Sequence, residues 1–572
     1  MRYSKRIDEL RELLKEYELN GYLIPSYDEF KNEYTPSHLK RLGWLTGFDG
    51  SNGVLLVTED KLIFFTDTRY TAQANRQLNE SYRILDIYNE NSWHAVLESL
   101  SESFVLGYDP MIESIDSVKN YRKLISNRDI HFKSVERNLI DLLWLNKPKV
   151  LCKSILRLTK EEAGLSTSEK IEQLLKKMEP NAEYLLINQL DAICWLLNIR
   201  GGDIEYSPLI IAYLIIKKDG ECYLFTDSID ETIENVEILK LTKIKDFFIN
   251  LVLSGAFIEA SCDVSSWFLD IADNSLITKK SSVEMMKACK NDIEIANIKE
   301  AHFLDGLALC KFICWLEDNI DRATEISAAK ELLKFRKAAD SFIGLSFATI
   351  SAFAENGAVI HYKPTQKTDK IITDESLYLL DSGGQYKFGT TDVTRTFCFG
   401  APSEQQKRNY TLVLKGMIRL SQMKFPIGTN GAQLDSLARF DLWQHGLDYA
   451  HSTGHGVGYF LFVHEGPQRI SKAGSVAFQP GMITSNEPGY YEEGEYGIRI
   501  ENMMLVKKSD VEGFLEFETL TLVPIAQNLI EFSLMNNSER EWLKNYNKKI
   551  FKTMLPHLDE SEKNRLQRIC DC

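Results

Sequence analysis

The sequence predicts an α/β (α+β) protein of three domains, the first two related to each other. Three observations point there: a length of 572 residues, two blocks that repeat the same motif order, and a change of texture near residue 290. At roughly 150 residues per domain, the chain has room for three or four domains. Its 44% apolar, 11% aromatic and 26% charged residues are those of a globular protein, not a disordered or fibrous one. A formal net charge of −15 repels phosphate backbones and anionic lipid headgroups, so neither nucleic acid nor a membrane is an expected partner.

The chain opens MRYSKRIDELRELLKEYELN, where charges alternate with leucines at helical spacing. This reads as an amphipathic surface helix and as neither a secretory signal nor an anchor. The repeat follows. WLTGFDG (44–50), an apolar segment at 53–57 and LIFFTD (62–67) match WLLNIRGG (195–202), the apolar run 209–216 and YLFTD (223–227). Trp44 and Trp195 stand 151 residues apart, and Phe64 and Leu224 stand 160 apart. Between these strands lie helical stretches such as 169–177, which favours open mixed sheets covered by helices. The longest apolar stretch, 208–216, ends in two lysines and is far short of the roughly 20 residues a spanning helix needs. Asn146-Lys147-Pro148-Lys149 reads as a linker, and the expected domains are 1–147, 148–287 and 288–572.

The third domain opens with a helical pattern over 291–319, with Ile295, Ile298, His302, Leu304, Leu307 and Cys310 near one face. Strands are expected at 377–380, 391–399, 481–485 and 497–506. Ser538 and Glu541 form a capping box that opens a final helix. The ten cysteines, from Cys152 to Cys572, include no C-x-x-C pair, and several sit in apolar runs, as Cys194 and Cys314 do. That is the pattern of buried thiols in a reducing compartment, with Cys570 and Cys572 read as a solvated tail.

The chemistry is concentrated in the third domain. Five of the ten histidines, His361, His445, His451, His455 and His464, fall between 361 and 464. Four carboxylates lie in apolar strand contexts beside them, where an unpaired charge is costly to bury. Asp381 ends the run LYLLD, and Asp392 follows the turn Lys387-Phe388-Gly389, so the two are expected to face each other across a hairpin. Such a pair calls for a cation between them. Glu487 in SNEPG and Glu501 in GIRIE repeat the arrangement, and strand alternation puts Arg499 and Glu501 on one face with Ile498 and Ile500 on the other. An oxygen-rich site with one or two imidazoles suits ions such as Mn²⁺, and two metals about 3.5 Å apart can hold a hydroxide and polarise a carbonyl together.

The strings HSTGHGVGYFLFVHEGP (451–467), DSGGQYKFGTTDVTRTF (381–397), SNEPGYY (485–491) and GIRIEN (497–502) closely resemble the aminopeptidase P family of pita-bread metallopeptidases. The resemblance covers nearly the whole chain, since GFDGSNG (47–53), TDTRY (66–70) and WLLNIRGGDIEYSP (195–208) look like the two creatinase-like amino-terminal domains of the three-domain cytosolic form. It implies a pita-bread catalytic domain that cleaves the amino-terminal residue from peptides with proline second, in a cytoplasmic homodimer. It also implies two divalent metal ions per subunit, Mn²⁺ first with Zn²⁺ or Co²⁺ as alternatives. Their ligands would be Asp381, Asp392, His455, Glu487 and Glu501, with Glu487 also the general base for the hydroxide between them. His361, His451 and His464 would bind the carbonyl or oxyanion and carry a proton to the proline nitrogen, with Arg499 and Tyr491 in support. His445 matches no family role and reads as structural. Ser452 replaces the family's usual glycine, adding a hydroxyl near the pocket.

Prolidase, which cleaves Xaa-Pro dipeptides, is the near rival, and the duplicated amino-terminal half argues against it. Methionine aminopeptidase normally lacks these domains. A non-catalytic pita-bread binding module or a metal-independent creatinase is disfavoured because all five ligand positions are filled.

Overall fold

The computed structural model describes residues 2–149 and 155–570. The chain divides into two compact units: Met1–Arg157, Thr167–Glu205 and Leu209–Val283 form one, and Leu158–Ser166, Tyr206–Pro208 and Glu284–Cys572 form the other.

The first unit contains the repeat as two six-stranded sheets. In the first, β1 (Gly21–Pro25), β2 (Val54–Thr58), β3 (Leu62–Thr66), β4 (Tyr82–Asp86), β5 (Phe104–Tyr108) and β6 (Ile130–Ser134) lie in the order β4-β3-β2-β1-β5-β6. In the second, β7 (Tyr184–Ile187), β8 (Ala212–Lys217), β9 (Cys222–Thr226), β10 (Val236–Leu239), β11 (Ile258–Ser261) and β12 (Leu276–Lys279) lie in the order β10-β9-β8-β7-β11-β12. Adding six to each number turns one order into the other. The directions match as well: the three leading strands of each sheet pair antiparallel, and the outer pairs are parallel. Both faces are covered, which is why β2 and β3 read as continuous apolar runs. On one face Leu55, Val57 and Phe64 pack with Ile7, Leu10 and Leu14 of the opening helix α1 (Arg2–Glu16). On the other, Val54, Leu56 and Phe65 pack with Trp93, whose ring stacks on Phe65 at 3.7 Å.

In the second unit the expected helix at 291–319 is α2 (Asp292–Glu317), opened by a capping box of Asn291 and Glu294. It is buried more widely than one face: Ile298, His302 and Cys310 are inside, but so are Glu294, Asp305 and Gly306. The helix α3 (Glu325–Lys337) follows. A three-stranded sheet, β13 (Ile350–Phe353), β14 (Leu377–Ser382) and β15 (Val393–Cys398), packs Tyr378, Leu380, Val393 and Phe397 against Leu309, Phe312 and Ile313 of α2. The helices α4 (Glu404–Ser421) and α5 (Gly431–Trp443) come next in the chain. A six-stranded sheet contains β16 (Lys424–Pro426), β17 (Gly454–Gly456), β18 (Glu465–Ile470) and β19 (Ile483–Asn486), and a hairpin β20 (Gly489–Glu492) and β21 (Tyr496–Arg499) precedes its last strands, β22 (Asn502–Lys508) and β23 (Phe514–Thr519).

Three expectations need correction. The strand predicted over 497–506 is two strands, β21 and β22, broken at Ile500 and Glu501, because Glu501 donates its backbone N–H to Thr394 instead of to a sheet neighbour. The capping box is Asn536 with Glu539, not Ser538 with Glu541: Ser538 is already inside the helix α6 (Asn537–Met554). Nor is that helix the last, since α7 (Glu560–Cys570) follows. Cys194, Cys222, Cys310, Cys314 and Cys398 are buried free thiols, whereas Cys152 and Cys572 lie outside the described residues. No described helix is long and apolar enough to cross a membrane.

Candidate metal centre

Strand ends of the three-stranded sheet, the six-stranded sheet and the β20–β21 hairpin deliver the acidic residues. Asp381 comes from β14, Asp392 from the residue before β15, His455 from β17, Glu487 from just past β19, and Glu501 from the break between β21 and β22. The predicted face-to-face pair differs in register: Asp381 lies opposite Thr394, and Ser382 opposite Val393. Leaving the strand lets the Asp392 carboxylate converge with Asp381 all the same. Three overlapping sets, Asp381 with Asp392 and Glu501, His455 with Glu487 and Glu501, and Asp392 with His455 and His464, bring one ligand atom per residue within 4.8 Å of one another.

His455 stands between two glycines for a steric reason. A Cβ at Gly454 would sit 2.1 Å from the Ser485 carbonyl oxygen, and one at Gly456 would sit 2.1 Å from that of Glu465. The imidazole tautomer is set by Nδ1–H, which donates to the Gly456 carbonyl at 2.9 Å. Nε2 therefore keeps its lone pair and points it between Asp392 (3.4 Å) and Glu487 (3.5 Å). The Ser485 hydroxyl accepts from the His455 N–H and donates to Glu487, joining two ligands through one side chain.

Electrostatics say that the cage needs positive charge. Burial and the neighbouring Asp381 and Glu487 push Asp392 well above the usual carboxylate range; burial and Asp392 do the same to Glu501. Burial, then the charge on Glu501, raises Glu487 to about 8. Asp381 Oδ1 and Glu501 Oε1 are buried and find no hydrogen-bond donor among the described residues. Carboxylate oxygens crowded together, buried and without donors are what a divalent-cation site leaves to be coordinated, so the donor set fits hard or borderline metal ions.

Arg499 supports the cage as expected. Its Nη2 donates to Asp381 at 2.6 Å, Nη1 donates to the Tyr491 hydroxyl at 2.7 Å, and Nε donates to Thr394. Thr394 in turn donates to Glu501 Oε2 at 2.8 Å. The alternation expected of Arg499 and Glu501 thus survives the strand break, with Ile498 and Ile500 in the core. Tyr491 passes its hydrogen to His451 Nε2 at 2.8 Å, and His451 Nδ1–H donates to the Ser452 carbonyl at 2.7 Å. Both nitrogens of His451 are committed, and burial with Arg499 holds its pKa well below the usual histidine value. His464 is more exposed, its ring edge-on to His455 at 4.3 Å. His361 lies close enough to His451 to depress its pKa, and the preceding Ile360 carbonyl is 3.5 Å from Arg499 Nη2. His445 bonds the Asp441 carbonyl on α5, consistent with a structural role. Thr394 and Ser485 escaped the sequence analysis, although alternation from Asp392 through Thr394 already placed the threonine on the acidic face.

Comparison with known proteins agrees with this geometry. The model for metallopeptidase family M24 matches residues 296–508, the creatinase/prolidase N-terminal domain matches twice, at 6–142 and 146–294, and the C-terminal region of peptidase M24 matches 513–571. A probable Xaa-Pro aminopeptidase P from Laccaria bicolor is 37% identical, over 97% of this chain and 91% of its own. One from Sordaria macrospora is 38% identical over 97% of both chains. The crystal structure of an X-prolyl aminopeptidase from Caenorhabditis elegans, described as a cytosolic enzyme with a di-nuclear active site, superposes with a TM-score of 0.96 at 32% identity, covering 100% of both chains. By its acidic cage, its doubled amino-terminal fold and its full-length relatives, the chain belongs to metallopeptidase family M24, in the Xaa-Pro aminopeptidase P branch.

Proposed function

We propose that the chain is a metal-dependent aminopeptidase that removes the amino-terminal residue from peptides with proline second. Asp381, Asp392, His455, Glu487 and Glu501 would hold two divalent cations. The observation that carries the reading is the convergence of these five side chains with carboxylate oxygens that find no donor. When bound there, divalent metal supplies Lewis acidity to the scissile carbonyl and makes water a nucleophile near neutral pH.

The side chains supply the rest. Glu487, close to both His455 (3.5 Å) and His451 (4.0 Å), takes the proton of the attacking water at its carboxylate, and His361 and His464 carry a proton on to the leaving nitrogen. That delivery is obligatory, because the nitrogen of an Xaa-Pro bond carries no hydrogen and departs only once protonated. His451 commits both nitrogens, so its part is to hold Tyr491 and, through it, Arg499. Bonding the carbonyl oxygen and the developing oxyanion is assigned to His361 and His464.

The same proposal takes Mn²⁺ as the native metal, the homodimer as the working assembly and the partition 1–147, 148–287 and 288–572 as the domain plan. A cytoplasmic location is part of it, supported by the description of the worm relative as cytosolic. The test is hydrolysis of Arg-Pro-Pro beside Arg-Pro by metal-stripped protein with and without Mn²⁺, with Glu487→Gln as control. Arginine release from the tripeptide only with metal, and not by the variant, is expected. Cleavage of the dipeptide alone would make the protein a prolidase, and no cleavage with metal bound would make it a binding module.

A further inference from the structure

His361 sits in a stretch with little regular structure to hold it. Between the end of β13 at Phe353 and Lys370 the backbone forms one short 3-10 turn, Ala354–Ala358, and otherwise runs as turns and loop. An imidazole that must meet a reacting atom within a few tenths of an ångström needs its loop fixed from outside.

One buried side chain reaches that loop at four points. Glu325, the first residue of α3, is fully buried. Its Oε1 accepts from the Phe353 N–H at 2.7 Å and from the Asn356 side-chain amide at 2.9 Å. Its Oε2 accepts from the Tyr362 hydroxyl at 2.8 Å and from the Lys370 N–H at 3.3 Å. The carboxylate therefore clasps both ends of the segment, its 3-10 turn, and the residue next to His361. Asn356 adds a cross-tie to the Tyr362 hydroxyl at 2.9 Å. Burial raises the Glu325 carboxyl above its ordinary value, and its four donors, with the amino-terminal turn of α3, pull it back in part. If the loop only needed closing, the backbone bonds at Phe353 and Lys370 would suffice. The bonds to Asn356 and Tyr362 act inside the loop, at the position that sets His361.

We propose that Glu325 is a positioning residue for His361, holding the loop 354–369 by its four-point clasp so that the imidazole faces the metal cage. This rests on the reading of His361 as a residue of the reaction. It assigns no metal or substrate contact to Glu325.

The test combines Glu325→Gln, which keeps the shape but turns one acceptor oxygen into a donor, with His361→Ala in a double-mutant cycle on the Mn²⁺-loaded full chain. Against Arg-Pro-Pro, Glu325→Gln is expected to lower kcat about 10- to 100-fold with little change in KM or bound metal, the size typical of groups that orient an active-site residue. In the His361→Ala background the same substitution should cost less than about 2-fold, since coupled residues are not additive. Independently of activity, hydrogen exchange should rise across 354–369 while β14, β15 and β19 are unchanged, and, in protein loaded with diamagnetic Zn²⁺ in place of the line-broadening Mn²⁺, the His361 ring resonance, identified by its loss in His361→Ala, should shift or broaden. Equal losses of kcat in both backgrounds, or an unshifted His361 resonance, would overturn the proposal. If wild-type protein fails to cleave, the functional reading falls while the exchange and resonance data still decide the clasp. Should Glu325→Gln not fold, Tyr362→Phe removes a single donor and is read the same way.

Discussion

Stripping divalent cations should lower the protein's thermal midpoint, and by more at neutral pH than in mild acid. Without metal, Glu487 is raised from an ordinary 4.5 to about 8, while burial pushes Asp392 upward with the charges of Asp381 and Glu487, and Glu501 upward with those of Asp392 and Asp381. At about 1.4 kcal/mol per pH unit, the rise of Glu487 corresponds to roughly 5 kcal/mol of unfavourable burial and repulsion when it is ionised. A carboxyl whose folded pKa is raised costs nothing below its unfolded value; its destabilising effect accumulates as pH rises from about 4.5 to about 8. Metal-free protein should therefore gain stability on acidification from pH 8 toward 5.5. Metal opposes that trend, because it requires the ionised carboxylates and relieves their repulsion. A cation at 100 to 1,000 times its Kd contributes about 3–4 kcal/mol, which raises the midpoint by roughly 5 °C for a unit of about 300 residues. The assay is scanning calorimetry of metal-stripped protein with and without saturating Mn²⁺ at pH 7.5 and 5.5. A metal-induced rise no larger at pH 7.5 than at 5.5, or below about 2 °C at both, would refute the reasoning.

Other outcomes follow from single side chains. Arg499→Lys should lower kcat/KM by about 100-fold with the fold intact, because an ammonium cannot serve Asp381, Tyr491 and Thr394 together; steady-state kinetics beside a thermal melt check it. Glu465, buried with the ammonium groups of Lys287 (3.1 Å) and Lys290 (2.7 Å), has its carboxyl held below the usual range, chiefly by those lysines against burial. Glu465→Gln should cost about 3–5 kcal/mol in urea unfolding above pH 5, with the difference shrinking only below the ordinary carboxylate range; an unchanged midpoint at pH 7 would contradict it. Asp28 is raised to about 6 by burial, and the neighbouring Asn32 Oδ1 has no donor among the described residues. Asn32 Nδ2 donates to Asp28 Oδ2 at 2.9 Å and the Phe30 and Asn32 N–H groups donate to Oδ1, so Asp28→Asn sets an amide donor against a donor and should destabilise the protein by about 1–3 kcal/mol; a melting midpoint unchanged or raised at pH 7.5 would contradict it.

The parts legible in the sequence are those where one residue type repeats at short range. The duplicated sheets showed in two Trp-to-Thr-Asp blocks because each strand carries its own apolar run, and the matching strand order bears out that reading. The cage showed because carboxylates in apolar strands are costly wherever they occur. The break at Ile500 and Glu501 left no trace, since apolar and polar residues keep alternating through it; only the bond to Thr394, 107 positions away, interrupts the ladder. The helix start at 536 was misread because two S/T/N-x-x-E patterns overlap there, and the local pattern does not say which residue is the cap. The Glu325 clasp was out of reach for a similar reason: its donors lie 28 to 45 residues away and none has a special local pattern.

The division into units has a consequence for how the molecule can come apart. In chain order the backbone passes from one unit to the other five times, and one visit, Tyr206–Pro208, lasts only three residues. Within its unit that visit is secured by the Gln385 amide, which donates to the carbonyls of Tyr206 and Leu461, while Asn291 and Asn297 bond the carbonyls of Ala163 and Glu162. Such stitches cannot be cut at a single linker. A fragment beginning after the second sheet would leave the buried Gln385 amide and the half-buried Asn291 and Asn297 amides each short of one carbonyl partner, so the catalytic half is no independent module to be excised or grafted.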